Sequence, residues 1–383
     1  TGAVYGRHPW LFSGALTHLP EGLVPGQPVH LRDESGGFLA LGQFSSYGQL
    51  AVRIWGYDPA ETVDRSFFVR RFRRALDWRL RFLDPEQTNA YRLVAAEGDM
   101  LPGLVVDRYA DVLVVQFHTR AMDAWREDVL AALLEVVQPA AVYERSDPAY
   151  RRQQEDWAPR TGLLWGTMPD DIDILENGLH YRVDVVSGQK TGFFLDQRDK
   201  RFLLGQMSRG MRVLNTFSYS GGFSVSALAG GAREVVSVDV SEAALNLARE
   251  NIRRNGFPLD ACRFVAEDVR SFLTTQADRS WDILVLDPPA YIKDRRKKDE
   301  GVRGYRSLNQ EGARVVSEGG LLLTCSCSAH LDQGEFRQVV TEALGRANRL
   351  AQLVASFEHG MDHPQALAHR EAGYLKALLL RVF

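Results

Sequence analysis

The chain has 383 residues, 45% of them hydrophobic and 25% charged, with a formal net charge of −3. That length suits two or three domains, and the charge balance excludes a uniformly basic nucleic-acid binder. No apolar run approaches the roughly 18 residues of a membrane-spanning helix, so no membrane partner is expected.

Cysteine use narrows the setting. Cys262, Cys325 and Cys327 cannot all pair, and the last two stand too close in one extended run to bridge comfortably. The opening "TGAVYGRHPW" has neither the basic flank nor the apolar core of a secretory signal. A reduced, cytoplasmic protein is the expectation.

Residues 1–72 alternate short apolar runs with Gly and Pro, as in "GQPVHLRDESGGFLALGQF" and "LAVRIWGY", which predicts a small β-rich domain. The stretch 65–83 predicts a helix, with Phe68, Phe72, Leu76, Leu80 and Leu83 spaced by three and four. Its "RRFRR" at 70–74 reads as a solvated face as readily as a binding patch, and Arg151 with Arg152 make a smaller basic cluster. Over 73–184, strands such as those in "YRLVAAEGDMLPGLVVDRYADVLVVQF" flank a helix over "AMDAWREDVLAALLEVV". This predicts a central α+β domain. No internal repeat or low-complexity segment is evident.

From 185 to 383 the pattern becomes regular. Strands "MRVLNTF", "EVVSVDV", "CRFVAED", "WDILVLDPP" and "GLLLTCSCS" alternate with helical segments, among them "SEAALNLARENIRRNG" and a stretch near 305–318. Such alternation predicts an α/β domain with a Rossmann-like, mostly parallel sheet. Ligands of these sheets sit at the carboxyl ends of the strands. Those ends carry Asn215, Thr216, Phe217, Ser218, Ser220 and Gly221 after the first strand, and Asp239 with Val240 after the second. Asp268 with Val269 follows the third, Asp287 the fourth, and the paired cysteines close the last.

An acidic residue ending the second strand suits ribose hydroxyls, since a carboxylate accepts from both. The first loop is not G-x-G-x-x-G, so a dinucleotide with a pyrophosphate is not indicated. S-adenosyl-L-methionine fits better, offering an adenine edge for Asp268, a ribose and a zwitterionic tail.

The motifs "TGFFLDQRDKR", "VLNTFSYSGGFS", "VVSVDVS", "DPPAY" and "TCSCS" follow one another as in the RlmI-like class I methyltransferases that modify cytosine carbon 5 of 23S rRNA. The chain resembles that group over nearly its whole length. Its start, "HPWLFSGAL", is similar to the group's PUA RNA-binding domain, and "DHPQALAHREAGYLK" matches its tail. The resemblance implies S-adenosylmethionine as cofactor, 23S ribosomal RNA of the large subunit as substrate, and a possible homodimer. It also implies that Lys190, Phe193, Gln197 and Arg198, in the stretch before the first strand, cover or anchor the cofactor.

Cytosine carbon 5 is a poor nucleophile. A thiolate adding to carbon 6 makes the ring an enamine, and carbon 5 can then take a methyl group. Side chains alternate along a strand, so Cys325 and Cys327 are expected on one face, and either could reach a base. The family's S-C-S pattern points to Cys327 as nucleophile, with Cys325 second; without neighbouring motifs both would read as small buried hydrophobes.

Asp287, stiffened by two following prolines, suits the cytosine amino group or ring nitrogen. Tyr291 offers a stacking face or a packing ring, and Lys293, Arg295, Arg296, Lys297 and Lys298 a path for phosphates. Cys262 reads as structural. His359 and His363 flank Gly360 and precede Pro364, so no metal site is expected. Two rival readings stay open: an exocyclic-amine methyltransferase using "DPPAY", which needs no thiol, and a non-catalytic RNA-binding ribosome-assembly protein.

Overall fold

The structure is a computed structural model that describes residues 2–45, 48–147 and 155–383. Arg151 and Arg152 lie outside the described residues. The chain forms two compact units. The first gathers Thr1–Leu175, Val183–Leu195 and Met361–Arg370; the second gathers Glu176–Arg182, Asp196–Gly360 and Glu371–Phe383.

In the first unit, a short helix α1 (Gly2–Tyr5) precedes four antiparallel strands, β1 (Trp10–Phe12), β2 (Pro28–Arg32), β3 (Phe38–Phe44) and β4 (Leu50–Gly56), in the order β1-β4-β3-β2. The β2–β3 turn is organised by Asp33, whose Oδ1 accepts from the backbone N–H of Ser35 at 2.9 Å and Gly37 at 2.8 Å. Leu11, Ala40, Val52 and Ile54 form the small core of this sheet.

Helix α2 (Arg65–Arg79) begins at Asp64, whose side chain accepts from Phe67 N at 2.9 Å. Phe67, Phe68, Phe72 and Ala75 form its buried face. The helix stops earlier than the spacing predicts: Leu80 is the C-cap and stands 45% exposed, although Leu83 is buried again. Beyond it, β5 (Ala90–Ala95), β6 (Leu104–Tyr109), β7 (Val112–Phe117), β8 (Ala141–Ser146) and β9 (Arg160–Gly166) form one sheet in that order. Only β7 and β8 pair in parallel within it, joined by α3 (Arg120–Asp123) and α4 (Arg126–Val137). This is the α+β arrangement read from the sequence.

After the hairpin β10 (Asp173–Glu176) and β11 (Leu179–Arg182) comes α5 (Arg198–Gln206). Then strand and helix alternate: β12 (Arg212–Thr216), α6 (Gly222–Ala229), β13 (Glu234–Asp239), α7 (Glu242–Arg254), β14 (Cys262–Ala266), α8 (Val269–Thr275) and β15 (Trp281–Leu286). The chain continues through α9 (Lys298–Val315), β16 (Val316–Ser326), α10 (Gln333–Arg346), β17 (Ala351–Phe357) and β18 (Lys376–Val382). The sheet order is β14-β13-β12-β15-β16-β18-β17. Its first five strands are parallel, and β18 runs antiparallel to both neighbours.

The Rossmann-like, mostly parallel sheet expected from the alternation is therefore present. The helix expected near 305–318 starts earlier, at Lys298, and gives way to β16 at Val316. Strand order reverses at β12, so the crevice between the carboxyl ends of β12 and β15 is where a ligand of such a sheet belongs. Leu214, Val236, Leu284, Leu286, Tyr305 and Leu322 belong to the core that fixes these strands.

Candidate active site

The loop leaving β12 is strained in a regular way. Phe217 and Tyr219 hold φ of 54° and 45°, and Gly221 holds 77°. Non-glycine residues pay for that conformation, and such costs concentrate at ligand sites. Gly221 is required twice over, because a Cβ there would also come within 2.7 Å of the Ala248 Cβ.

The neighbouring strand and helix hold the loop. Ser218 N donates to Val238 O at 3.0 Å, Tyr219 N to Asp239 Oδ2 at 2.9 Å, and the Asn251 amide to Ser220 O at 2.9 Å. Asp239 also accepts from Ser241 N at 2.9 Å. Both of its oxygens keep lone pairs to spare.

Below the loop, the Asn215 amide donates to Ser224 Oγ at 2.9 Å, and Ser224 Oγ lies 2.7 Å from Ser237 Oγ. Thr216 Oγ1 donates to Val285 O at 2.6 Å, linking β12 to β15. Among the buried oxygens with no hydrogen-bond partner in the described residues are Asn215 Oδ1, Ser218 Oγ and Gln197 Oε1. Buried polar atoms are rarely left so without a ligand or water to serve them. This set, with Asp239 and the exposed Val240 beside it, fits the amino-acid tail, ribose and base of S-adenosylmethionine.

Other predicted cofactor residues have different surroundings. Asp268 is exposed and caps α8, accepting from Ser271 N at 3.0 Å, while Val269 is a core side chain. Arg198 is buried, with its Nε 3.7 Å from Asp199. Phe193 belongs to the first unit, where its N–H donates to Tyr109 Oη at 3.2 Å. Lys190, also of that unit, lies over the Phe194 ring at 4.4 Å.

Around the ends of β15 and β16 lie the residues predicted to be catalytic. Asp287 accepts from the Gln197 amide at 3.0 Å. Cys325 is fully buried, and burial, with Asp287 adding, pushes its thiol far above the ordinary value against the pull of Lys200. Cys327 is half-buried, and its Sγ lies 3.8 Å from Pro288 O. The strand ends at Ser326, one residue before Cys327, and the two thiols differ in burial. Cys262 resembles neither: burial and Asp260 raise its thiol to about 11.

Two buried lysines flank this cluster. Lys200 Nζ donates to Asp196 O and Glu358 O, both at 2.8 Å. Burial lowers its pKa, and Cys325 and Asp287 are among the groups that oppose the shift. Lys376 Nζ donates to Ser328 O at 2.5 Å and Tyr374 O at 2.8 Å. Burial brings its pKa down to about 8, and Cys327 is the leading group opposing that fall.

Ser328 ties the two loops together: its Oγ accepts from Ile292 N at 3.1 Å and lies 2.9 Å from Tyr305 Oη. Tyr374 Oη donates to Asp196 Oδ2 at 2.7 Å. Asp196 and Lys200 lie within "TGFFLDQRDKR" and Ser328 within "TCSCS", whereas Tyr305 carries no signal that separates it from an ordinary helix residue.

Outside this cluster runs a groove of about 570 Å³ lined by Arg270, Tyr291, Lys293, Lys297 and Arg303 among others. The Tyr291 ring packs 4.7 Å from Tyr305, and the Arg270 guanidinium lies 5.1 Å from its centre. A Cβ at Gly304 would come within 3.1 Å of the Tyr291 ring, so that glycine lets the helix approach. Not all of the predicted basic run is available. Arg296 pairs with Asp294 at 2.6 Å and Lys298 with Glu335 at 2.5 Å, whereas Lys293, Arg295 and Lys297 are exposed and have no ion pair among the described residues. Among the described residues no group of three or more His, Cys, Asp and Glu side chains could hold a metal ion, and no helix is long and apolar enough to cross a membrane.

A sheet reversing at β12, a strained loop beside a strand-ending aspartate, and a thiol at the last parallel strand define an enzyme fold that uses a nucleoside cofactor. The chain belongs to the S-adenosylmethionine-dependent methyltransferases, a family whose sequence pattern matches residues 92–381. A PUA-like domain matches residues 2–56, the span that contains β1 to β4. S-adenosylmethionine is thus the cofactor.

The chain is 41% identical over 379 residues to the ribosomal RNA large subunit methyltransferase I of Tolumonas auensis, covering 98% of this chain and 95% of that protein. It is 38% identical to the protein of that name from Escherichia coli, covering 98% and 96%. A candidate SAM-dependent methyltransferase from Streptococcus mutans superposes with a TM-score of 0.83 at 24% identity, covering 99% of this chain and 97% of that one. A candidate methyltransferase solved with SAH gives 0.85, also at 24% identity. These two structures establish the fold alone.

Proposed function

We propose that this protein methylates carbon 5 of a cytosine in the 23S RNA of the large ribosomal subunit, with Cys327 as covalent nucleophile. The names of the curated relatives support the substrate class. The observation that carries the chemistry is the contrast between the two thiols. Cys325 is sealed in the core, while Cys327 is partly exposed, close to the Asp287–Pro288 segment and electrostatically coupled to Lys376.

When bound, S-adenosylmethionine would supply a methyl group made electrophilic by its sulfonium. Asn215, Ser218 and Asp239 would hold its polar groups. Cys327 acts on the base: its thiolate forms a bond to carbon 6, and the ring electrons move to carbon 5, which becomes nucleophilic. Asp287, steadied by Gln197, accepts from the cytosine amino group and keeps the ring in place. After transfer, loss of the carbon 5 proton to a base restores the ring and returns the carbon–sulfur bond pair to Cys327. Lys376 holds Ser328, the residue after the nucleophile, and supports its thiolate. The groove around Tyr291, with Lys293 and Lys297, would carry the flanking RNA, and the PUA-like domain a more distant part of it.

Tritiated methyl transfer to unmodified ribosomal RNA, followed by digestion and mass analysis of the nucleosides, tests the reading. 5-Methylcytidine is the expected product. Cys327→Ala should lower the rate at least ~1,000-fold, the scale of a lost covalent nucleophile, and Cys325→Ala by less than about tenfold. Full transfer by Cys327→Ala, or a product methylated on nitrogen, would overturn it in favour of amine methylation.

A further inference from the structure

The arginine run of α2 has no place in the chemistry above, yet it lines a defined groove in the first unit. The groove measures about 640 Å³; Arg70, Arg74, Trp78 and Arg81 form one side, and Gly98, Met100 and Pro364 contribute to the rest. Arg70, Arg74 and Trp78 recur every four residues, so they stand one above the next on the same helix face, about 6 Å apart. All three, with Arg81 just past the helix end, are exposed.

The charges here are poorly compensated. Arg74 and Arg81 have no ion pair among the described residues. Arg70 donates only to Ser66 Oγ, at 2.8 Å, with Asp64 nearby. The carboxylate of Asp99 is taken: it binds Arg79 through two contacts of 2.6 and 2.8 Å, leaving Asp77 as the acid in the groove that is not so engaged. Glu61 binds Arg71 at 2.8 Å, and Arg71, lowered mainly by burial, is lowered further by the repulsion of Arg74 and Arg70.

Trp78 is the other half of the observation. A tryptophan 42% exposed among guanidiniums is costly in water, and here its indole N–H is held at 3.2 Å from Met361 O. That bond fixes the ring while leaving much of it open. A fixed aromatic ring between unpaired arginines is the arrangement that binds single-stranded nucleic acid, with phosphates on the cations and a base on the ring.

We propose that the Arg70–Arg74–Trp78–Arg81 groove is an RNA-binding surface of the first unit, taking an unpaired segment of the substrate through its phosphates and one stacked base. The inference rests on the reading of an RNA substrate. It adds a contact outside both the methyl-transfer cluster and the PUA-like domain.

The test compares binding of a fluorescent, unmodified ribosomal RNA fragment to the full chain between 50 and 300 mM salt. The triple variant Arg70→Gln, Arg74→Gln, Arg81→Gln should bind more weakly at every salt concentration. Its slope of log affinity against log salt should flatten by about 2, at roughly 0.7 for each lost phosphate contact with a single strand. Trp78→Ala should weaken binding about fivefold or more with the slope unchanged, as expected for a lost stack.

A control triple, Arg253→Gln, Arg337→Gln, Arg346→Gln, removes the same charge from exposed positions of the second unit and should leave the slope alone. Binding of S-adenosylhomocysteine by every variant reports that the fold is retained. An unchanged slope in the first triple, an equal loss in the control, or retention of poly-glutamate in preference to RNA would overturn the proposal. If the wild type binds RNA with the expected slopes but methylates none, the functional reading fails and the groove stands.

Discussion

Lys376 opens β18 with its side chain almost entirely buried, and its ammonium is spent on two backbone carbonyls. Burial brings its pKa from 10.5 down to about 8. Between those values the unfolded chain holds a proton that the folded chain has lost, so stability rises with pH across that window; below it, the buried charge is a constant cost. The urea midpoint of the wild type should therefore climb relative to Lys376→Met as pH goes from about 8 to 10. Parallel curves would show that the lysine does not titrate there.

Nothing in "GYLK" foretells this, because a lysine in a sequence reads as a solvated charge and only the fold encloses it. The strand-end residues were a different matter. Asp239, Asn215 and Ser218 could be located from strand position alone, because the sheet fixes where strand ends lie. Val269 could not be told from a lining residue, since the sequence does not show which side of α8 faces the core.

At the scale of elements, α5 is joined to β10 by a buried ion pair. Arg201 binds both oxygens of Glu176 at 2.6 and 2.5 Å, and both side chains are nearly inaccessible. Removing one partner strands the other charge in the core, a loss of about 3–5 kcal/mol. Glu176→Ala should lower stability by that amount in urea unfolding, and the apolar double variant Glu176→Leu, Arg201→Met should regain most of it. A loss below about 1 kcal/mol in the single variant would mean that water reaches Arg201.

The sequence misplaced the start of α9 for a local reason: Gly301 and Gly304 interrupt a charged stretch that reads as a loop, yet both sit where the helix runs against the loop carrying Tyr291. It likewise ran the strand through Cys327, whereas the strand ends at Ser326. Where a strand stops depends on its partners, and here β18 begins opposite Ser326.

The whole molecule has two units; the second is built on one large apolar core, and the first on two, a small one under β1–β4 and a larger one around α2 and α4. Unfolding is then not bound to be a single transition. Two calorimetric transitions are expected, and S-adenosylhomocysteine should raise the one belonging to the second unit, by about 2.7 kcal/mol at a hundred times its dissociation constant. A single transition, or an equal shift of both, would contradict this.

Alternation over 212–326 made the parallel sheet plain in the sequence, because each βα step is local. The return of Met361–Arg370 to the first unit, and the placing of β18 between β16 and β17, were not visible. Both depend on pairings between distant parts of the chain, which no short pattern encodes.

The threading of the backbone has a practical meaning for anyone cutting the gene. Three separated stretches build each unit, so neither can be excised as a continuous cassette. A fragment beginning at Asp196 would leave behind Glu176 and with it the carboxylate that neutralises Arg201. Exchange of halves between relatives would have to trade the short interior pieces as well.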